Sequence, residues 1–365
     1  MISIQKIALQ ELEVFVNSDS FRKLKNKPIS KARALSYARN PRANKNDIVL
    51  YMAFDSSELV GYRTILSDFF IIENNKESFG WLSGNWVNPL YRREGISTML
   101  FNEVFEDWNH KLMYTNYAEA SKLVYDKTSQ FEFLHELKGV KYYNRFCFAD
   151  ILPKKRKIFQ STKLLLKVID FTLNLFFDIR YFFISVEEEE GFFIKENEIW
   201  NESTSLFLEK FISQNLFQRA KKEFDWIQSF PWVKTDKNAK VNSKFYYFSS
   251  YSKNFESNIY TVYNSKNKLI AFLLISVRDG HMKIPYAYFF EENVKEISTL
   301  IVNKCISMKV KTIIVNSESL QKELNTKLSF IWSKSCIQKH FATKKIFSNH
   351  KKLSVQSGDG DVVFT

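Results

Sequence analysis

A chain of 365 residues with 45% hydrophobic content is long enough for two cores, and its surplus of 13 positive charges favours anionic partners. Cys147, Cys305 and Cys336 are odd in number, far apart and out of metal-ligand spacing with any of the five histidines, which argues against a disulfide framework and a Cys/His metal site. Met1 to Lys6 shows neither a basic n-region nor a long apolar h-region, so the expectation is a cytoplasmic protein with buried, reduced thiols.

In chain order, Ile2 to Gln5 alternates briefly, Leu9, Leu12, Val14 and Phe15 fall at helical spacing, and a second helix over Lys31 to Ala38 stops at Asn40-Pro41. Ile48 to Phe54 and Leu59 to Phe70, separated by the polar turn Asp55 to Glu58, predict a hairpin, and Trp81 to Val87 a third strand. Met99, Leu100, Val104, Phe105 and Trp108 then predict one long helix. Leu112 to Tyr117 follows as a strand, Glu119 to Lys127 as a helix, and Phe131 to Phe148 as strands around a turn at Lys138-Gly139. This order around a glycine turn indicates an α/β or α+β sandwich.

From 151 the pattern changes. Pro153 to Lys157 is a basic run, and Lys163, Lys167, Asp170, Asn174 and Asp178 recur every three or four residues through an apolar stretch, which predicts a helix with a narrow polar stripe. Its charges argue against a transmembrane span. Two readings stand: a connector packed between two domains, or a helix lying on an anionic membrane, peripheral to its inner face.

The second half repeats the order of the first. Helices over Thr204 to Phe217 and Lys221 to Ser229 precede a hairpin (Ile259 to Tyr263, Leu269 to Val277), a strand (Lys283 to Phe290), a long helix (Val294 to Met308), a strand (Thr312 to Val315) and a helix (Glu318 to Leu328). This predicts a diverged duplication, with domains at 1–150 and 196–365 joined by 151–195.

The sharpest chemistry lies at Trp86 to Ser97. A strand ends, Pro89 stops sheet pairing, Gly95 permits close backbone approach, and a helix begins beside Arg92 and Arg93. Helix N-terminal amides next to arginines suit phosphate oxygens, so the predicted guest is a pyrophosphate. The equivalent Phe290-Glu291-Glu292-Asn293 is acidic and has no glycine, so the second copy should repel an anion. Trp81, Trp86, Trp226 and Trp232 accompany no basic groove pattern, which argues against nucleic acid.

Val87-x-Pro89-x-Tyr91-Arg92-x-x-Gly95-Ile96-Ser97-x-x-Leu100 resembles the acyl-CoA signature of the GCN5-related N-acetyltransferases, with Ser97 where Gly or Ala is usual. The resemblance implies two tandem domains of that fold, each with a mixed, mostly antiparallel sheet flanked by helices, and acetyl-CoA as co-substrate without a metal. It implies that Trp86, Val87 and Asn88 hold the pantetheine arm and that Arg92, Arg93, Glu94, Gly95, Ile96 and Ser97 hold the pyrophosphate. Leu123-Val124-Tyr125-x-Lys127 resembles the family's Leu-Tyr-x-Lys run, which makes Tyr125 the general acid for the leaving thiolate; Ala118 stands where an Asn is usual, with Asn116 displaced. Glu119 and Asp68 are the candidate bases, with a water relay as alternative, and a backbone amide near Val87 or Asn88 would meet the oxyanion. The expected reaction is acetyl transfer to a primary amine, an amino sugar or small metabolite. The alternatives are a non-catalytic scaffold of the same fold and a tandem-domain aminoacyl or acyl transferase.

Overall fold

The computed structural model describes residues 2–72, 75–115, 119–183, 191–198, 200–236, 246–248, 250–346 and 354–364, without the side chains of 72, 119, 120, 182 and 183. Strand β1 (Ile2–Ala8) leads into α1 (Leu9–Asn17), α2 (Asp19–Lys23) and α3 (Lys31–Ala38), the last two N-capped by Ser18 and Ser30. The meander β2 (Ile48–Asp55), β3 (Glu58–Ile72) and β4 (Asn75–Val87) is followed by α4 (Ile96–Asp107), β5 (Leu112–Thr115), α5 (Glu119–Thr128) and β6 (Phe131–Tyr143). Next come α6 (Phe148–Lys155), α7 (Lys163–Phe177), α8 (Arg180–Phe183), β7 (Phe192–Glu196), α9 (Glu202–Ile212) and α10 (Lys221–Ser229). A two-residue pair, β8 (Lys234–Thr235) and β9 (Tyr251–Ser252), precedes β10 (Phe255–Asn264), β11 (Leu269–Arg278), β12 (His281–Phe289), α11 (Val294–Ser307), β13 (Thr312–Val315), α12 (Glu318–Lys327) and β14 (Trp332–Thr343). Most predicted elements fall at these positions; α2, α6, α8, β7, β8, β9 and β14 were not predicted.

Two compact units result, each assembled from separated stretches: 1–137, 208–255 and 338–365 in one, 138–207 and 256–337 in the other. The first carries strands in the order β1-β2-β3-β4-β5-β14, antiparallel except for the parallel β4–β5 pair. The second carries β6-β13-β12-β11-β10-β7, with β12–β13 as its parallel pair. The strand after α5 thus completes the second unit, and the strand after α12 completes the first. Each unit has its own core: α4 on β2 to β5 through Phe101, Leu100 and Val104, and α11 on β10 to β13 through Leu300, Ile301 and Cys305.

Two expectations are corrected. The turn at Lys138-Gly139 does not form, because β6 runs straight through it. A Cβ on Gly139 would lie 2.7 Å from Asn316 Nδ2 and 3.1 Å from the Val315 carbonyl, so this glycine serves close strand approach rather than reversal. The helix read as a packed connector or as a membrane-surface helix, α7, forms, but it is not packed on all sides: Asp170 and Asn174 turn inward, while Lys163, Lys167 and its apolar side are exposed. Cys147 and Cys305 are buried, and burial pushes their thiols up to about 11 and about 12; Cys336 is half-buried.

Candidate acyl-donor site

Strand β4 pairs with β3 along its length but meets β5 only at Gly80↔Leu112 and Trp81↔Met113. Beyond that point β4 continues to Val87 while β5 ends at Thr115, so among the described residues one side of 82–87 has no strand partner. Pairing shifts from Ile65↔Leu82 to Thr64↔Gly84, which makes Ser83 a one-residue bulge. The bulge turns both Ser83 and Gly84 toward α3, leaving Leu82 and Asn85 on the α4 side.

The turn after β4 is held by side chains of its own residues. Asn88 accepts from the Leu90 amide and donates to Glu58 at 3.1 Å, and Tyr91 donates to Asp55 at 3.3 Å, tying the turn to the β2–β3 hairpin. Gly95 has φ +81° and caps α4, and a Cβ built on it meets nothing within 4 Å, so the turn is open in front of the helix. The amides of Ile96 and Ser97 have no acceptor among the described residues, as the first turn of a helix requires, and Arg92 and Arg93 are exposed beside them. The Ile96 side chain is buried against Gly61, where a Cβ would come within 2.8 Å of it, so only the Ile96 backbone can face a ligand.

On the α4–α5 side, Asn85 donates to Ser97 at 3.2 Å and to Ser121 at 3.4 Å. Ser97, at the position where Gly or Ala is usual in the motif, thereby joins α4 to β4. One turn beyond Ser121, Tyr125 packs on Tyr114 and Phe101, and its hydroxyl accepts from Arg63 Nη1 at 2.9 Å. Arg63 is fully buried, sits directly opposite Asn85 in the sheet, and its Nε and Nη2 have no partner among the described residues. A buried guanidinium with two orphan nitrogens is costly unless something else meets them.

The α3 side holds groups that the sequence did not reveal. Arg33 donates to Thr64 at 2.8 Å, to Ser83 at 2.5 Å and to Tyr37 at 2.8 Å, and lies 4.2 Å above the Trp232 ring. Burial works against its charge, but the oxygens of Tyr37, Tyr246 and Asp361 outweigh this and hold its pKa above the usual arginine value. Ser83 in turn donates to Asp361, which brings a carboxylate to the bulge. The Asp361 segment is seated by Gly360, at φ +79° against the Trp81 ring, and by Phe364, stacked 4.7 Å from Trp232. A contact spanning 278 residues has no local sequence signal.

The remaining expectations resolve as follows. Trp86 is half-buried and stacks 5.4 Å from Tyr62, and Val87 is half-buried opposite Gly61. The Asn88 amide already donates to the Val60 carbonyl at 2.8 Å, so it is not the oxyanion donor. Asp68 is committed to Arg42, Arg219, Trp81 and its neighbour's amide, which removes it as a base. Asn116, Ala118 and the Glu119 side chain lie outside the described residues. Among the described residues no three His, Cys, Asp or Glu side chains gather as a metal site. In the second unit, β12 likewise leaves β13 after three pairs, but the cleft of about 540 Å³ beyond is lined by Glu291, Glu318 and Lys322, and Asn293 at φ −101° replaces the left-handed glycine.

No protein-family model matches the sequence, and no curated protein matches it. Among solved structures, N-myristoyltransferase of Saccharomyces cerevisiae with bound myristoyl-CoA is similar at TM-score 0.53 and 11% identity, over 93% of this chain and 82% of that one. A further structure of the yeast enzyme gives TM-score 0.51 and 10% identity over 96% and 83%. A GCN5-related N-acetyltransferase from Kribbella flavida is at TM-score 0.45 and 11% identity over 94% and 70%. The chain shares the fold of the yeast enzyme.

Proposed function

We propose that the chain is an acyl-CoA-dependent N-acyltransferase that uses acetyl-CoA and a primary amine of a small molecule. The observation that carries this reading is the coincidence, in one unit, of the parting of β4 from β5 with an open left-handed Gly95 at the start of α4. The pyrophosphate would lie on the amides of Ile96 and Ser97 beside Arg92 and Arg93, and the pantetheine would run along the open edge of β4 from Val87 toward Asn85. Arg63, Phe101 and Tyr125 close the α4 side, which favours a short acyl group.

The amine nitrogen attacks the thioester carbonyl carbon, the N–C bond forms, and the C–S bond breaks. Tyr125 gives its proton to the leaving thiolate; its oxygen already accepts from Arg63, so the phenolate left behind has a cation in contact. Asp361 takes the amine proton, directly or through the Ser83 hydroxyl. This assigns the base to a residue far from the motif.

Calorimetry with acetyl-CoA tests the reading. Micromolar binding is expected for the full chain and none for Gly95→Glu, which places a carboxylate where the phosphates would lie. Absence of acetyl-CoA binding by the unaltered protein would overturn it.

A further inference from the structure

Helix α7 is built inside out. Two of its polar residues face the protein: Asp170 accepts the amides of Phe148 and Ala149 at 2.7 and 2.9 Å, capping α6, and Asn174 exchanges two hydrogen bonds with the Phe146 backbone. Leu164, Leu165, Val168, Phe171, Leu175 and Phe176 are between 56% and 75% exposed. Their spacing places them along one side of a helix about 22 Å long. Scattered exposed leucines need no explanation, but a continuous apolar stripe on the side away from the inward-facing Asp170 and Asn174 does.

The surroundings decide what covers it. Lys154, Lys155, Arg156, Lys157, Lys163 and Lys167 are all exposed, and the sequence between Asp150 and Asp170 contains no acidic residue. None of the six takes part in an ion pair among the described residues. A second copy docked through this stripe would bring the two basic fringes together with no acids to meet them. A lipid surface with anionic headgroups meets both features: acyl chains for the stripe and phosphates for the fringe. No helix among the described residues is long and apolar enough to cross a membrane, so the helix lies on the surface.

We infer that α7 with its preceding basic run docks the protein peripherally on an anionic lipid bilayer. The inference is independent of the reaction assigned to the other unit.

Co-sedimentation of the full chain with vesicles tests it, comparing pure phosphatidylcholine with phosphatidylcholine containing about one third phosphatidylglycerol. Pelleting is expected with the anionic vesicles and about tenfold less with the neutral ones. The double variant Phe171→Ser/Leu175→Ser and the triple variant Lys154→Glu/Lys155→Glu/Lys157→Glu should each lower binding about tenfold while melting like the unaltered protein, since all five side chains are exposed. Equal pelleting of the Phe171→Ser/Leu175→Ser variant, or none by any protein, overturns the inference. So does a concentration-dependent dimer in sedimentation velocity that this variant abolishes, which would make a second copy the occupant.

Discussion

Replacing Asp68 by Ala removes the centre of a buried ion cluster in the first unit. The carboxylate accepts from Arg42 Nε, from Arg219 Nη2 at 2.6 Å, from Trp81 Nε1 at 2.9 Å and from the Phe69 amide at 2.7 Å. Burial alone would raise its pKa, but Arg219 and Arg42 more than offset that and hold it below the usual carboxylate range. The Arg42 and Arg219 side chains are 1% and 4% exposed, so neither cation can turn to water when its partner is lost. Breaking a buried pair in this way costs about 3–5 kcal/mol. Glu223 still reaches Arg42 at 3.1 Å and Asp359 lies 3.7 Å from Arg219, which puts the expectation near about 3 kcal/mol. At about 2–4 °C per kcal/mol for a unit of this size, the first unit should melt roughly 6–12 °C earlier. Circular dichroism with calorimetry measures this, and a melting temperature within about 2 °C of the unaltered protein would refute the assignment of Asp68 to structure. An exposed pair such as Lys6–Asp107 should cost under about 1 kcal/mol in the same assay.

Two further outcomes are expected. Asp361→Asn keeps an acceptor for Ser83 but cannot take a proton, so kcat should fall by about a hundredfold or more with acetyl-CoA binding intact. A change under about threefold would remove Asp361 from the mechanism. Acid should weaken the fold through its histidines. Burial, with His135 nearby, pushes His340 down to about 3, and burial, with Lys141 and Lys311, pushes His281 down to about 4, both from 6.5. Because the folded pKa lies below the unfolded one, the unfolded chain binds the extra proton. The stability these groups contribute is therefore complete above pH 6.5 and is lost as pH falls from 6.5 toward 4, by up to about 1.4 kcal/mol per pH unit for each. Urea midpoints between pH 7.5 and 5 should drop accordingly and drop less in His340→Gln, where only the His281 contribution remains; a midpoint independent of pH contradicts this reading.

The local elements were readable because their signals are local. Pro41, Pro89 and Gly95 mark ends, and the alternation of 48–70 and 259–277 marks hairpins. The left-handed Gly95 at the start of α4 was legible for the same reason, since a turn into a helix is written in consecutive residues. Arg33, Arg63, Ser83 and Asp361 were not, because each acquires its meaning from a partner on another element: Ser83 from a bulge, Arg63 from Tyr125, Asp361 from a strand 278 residues away. Gly139 misled because a glycine that permits close packing and one that permits reversal look alike in sequence. The inward-facing Asp170 and Asn174 of α7 misled for a related reason: periodicity reports that a helix has two sides, not which of them meets the solvent.

The crossing of final strands has a consequence for how the chain is made. When residues up to 150 have been synthesised, β5 has no outer neighbour and β6 has no sheet to join, so a nascent first half presents open strand edges. Both closures wait for later residues: β6 for β13, and β5 for β14, whose His340 pairs with Thr115. Contacts of such sequence separation form slowly. A fragment cut near residue 150 would carry the Gly95 turn yet lack both the closing strand and the Asp361 segment. Expression of separated halves should therefore give aggregation-prone pieces rather than two working domains.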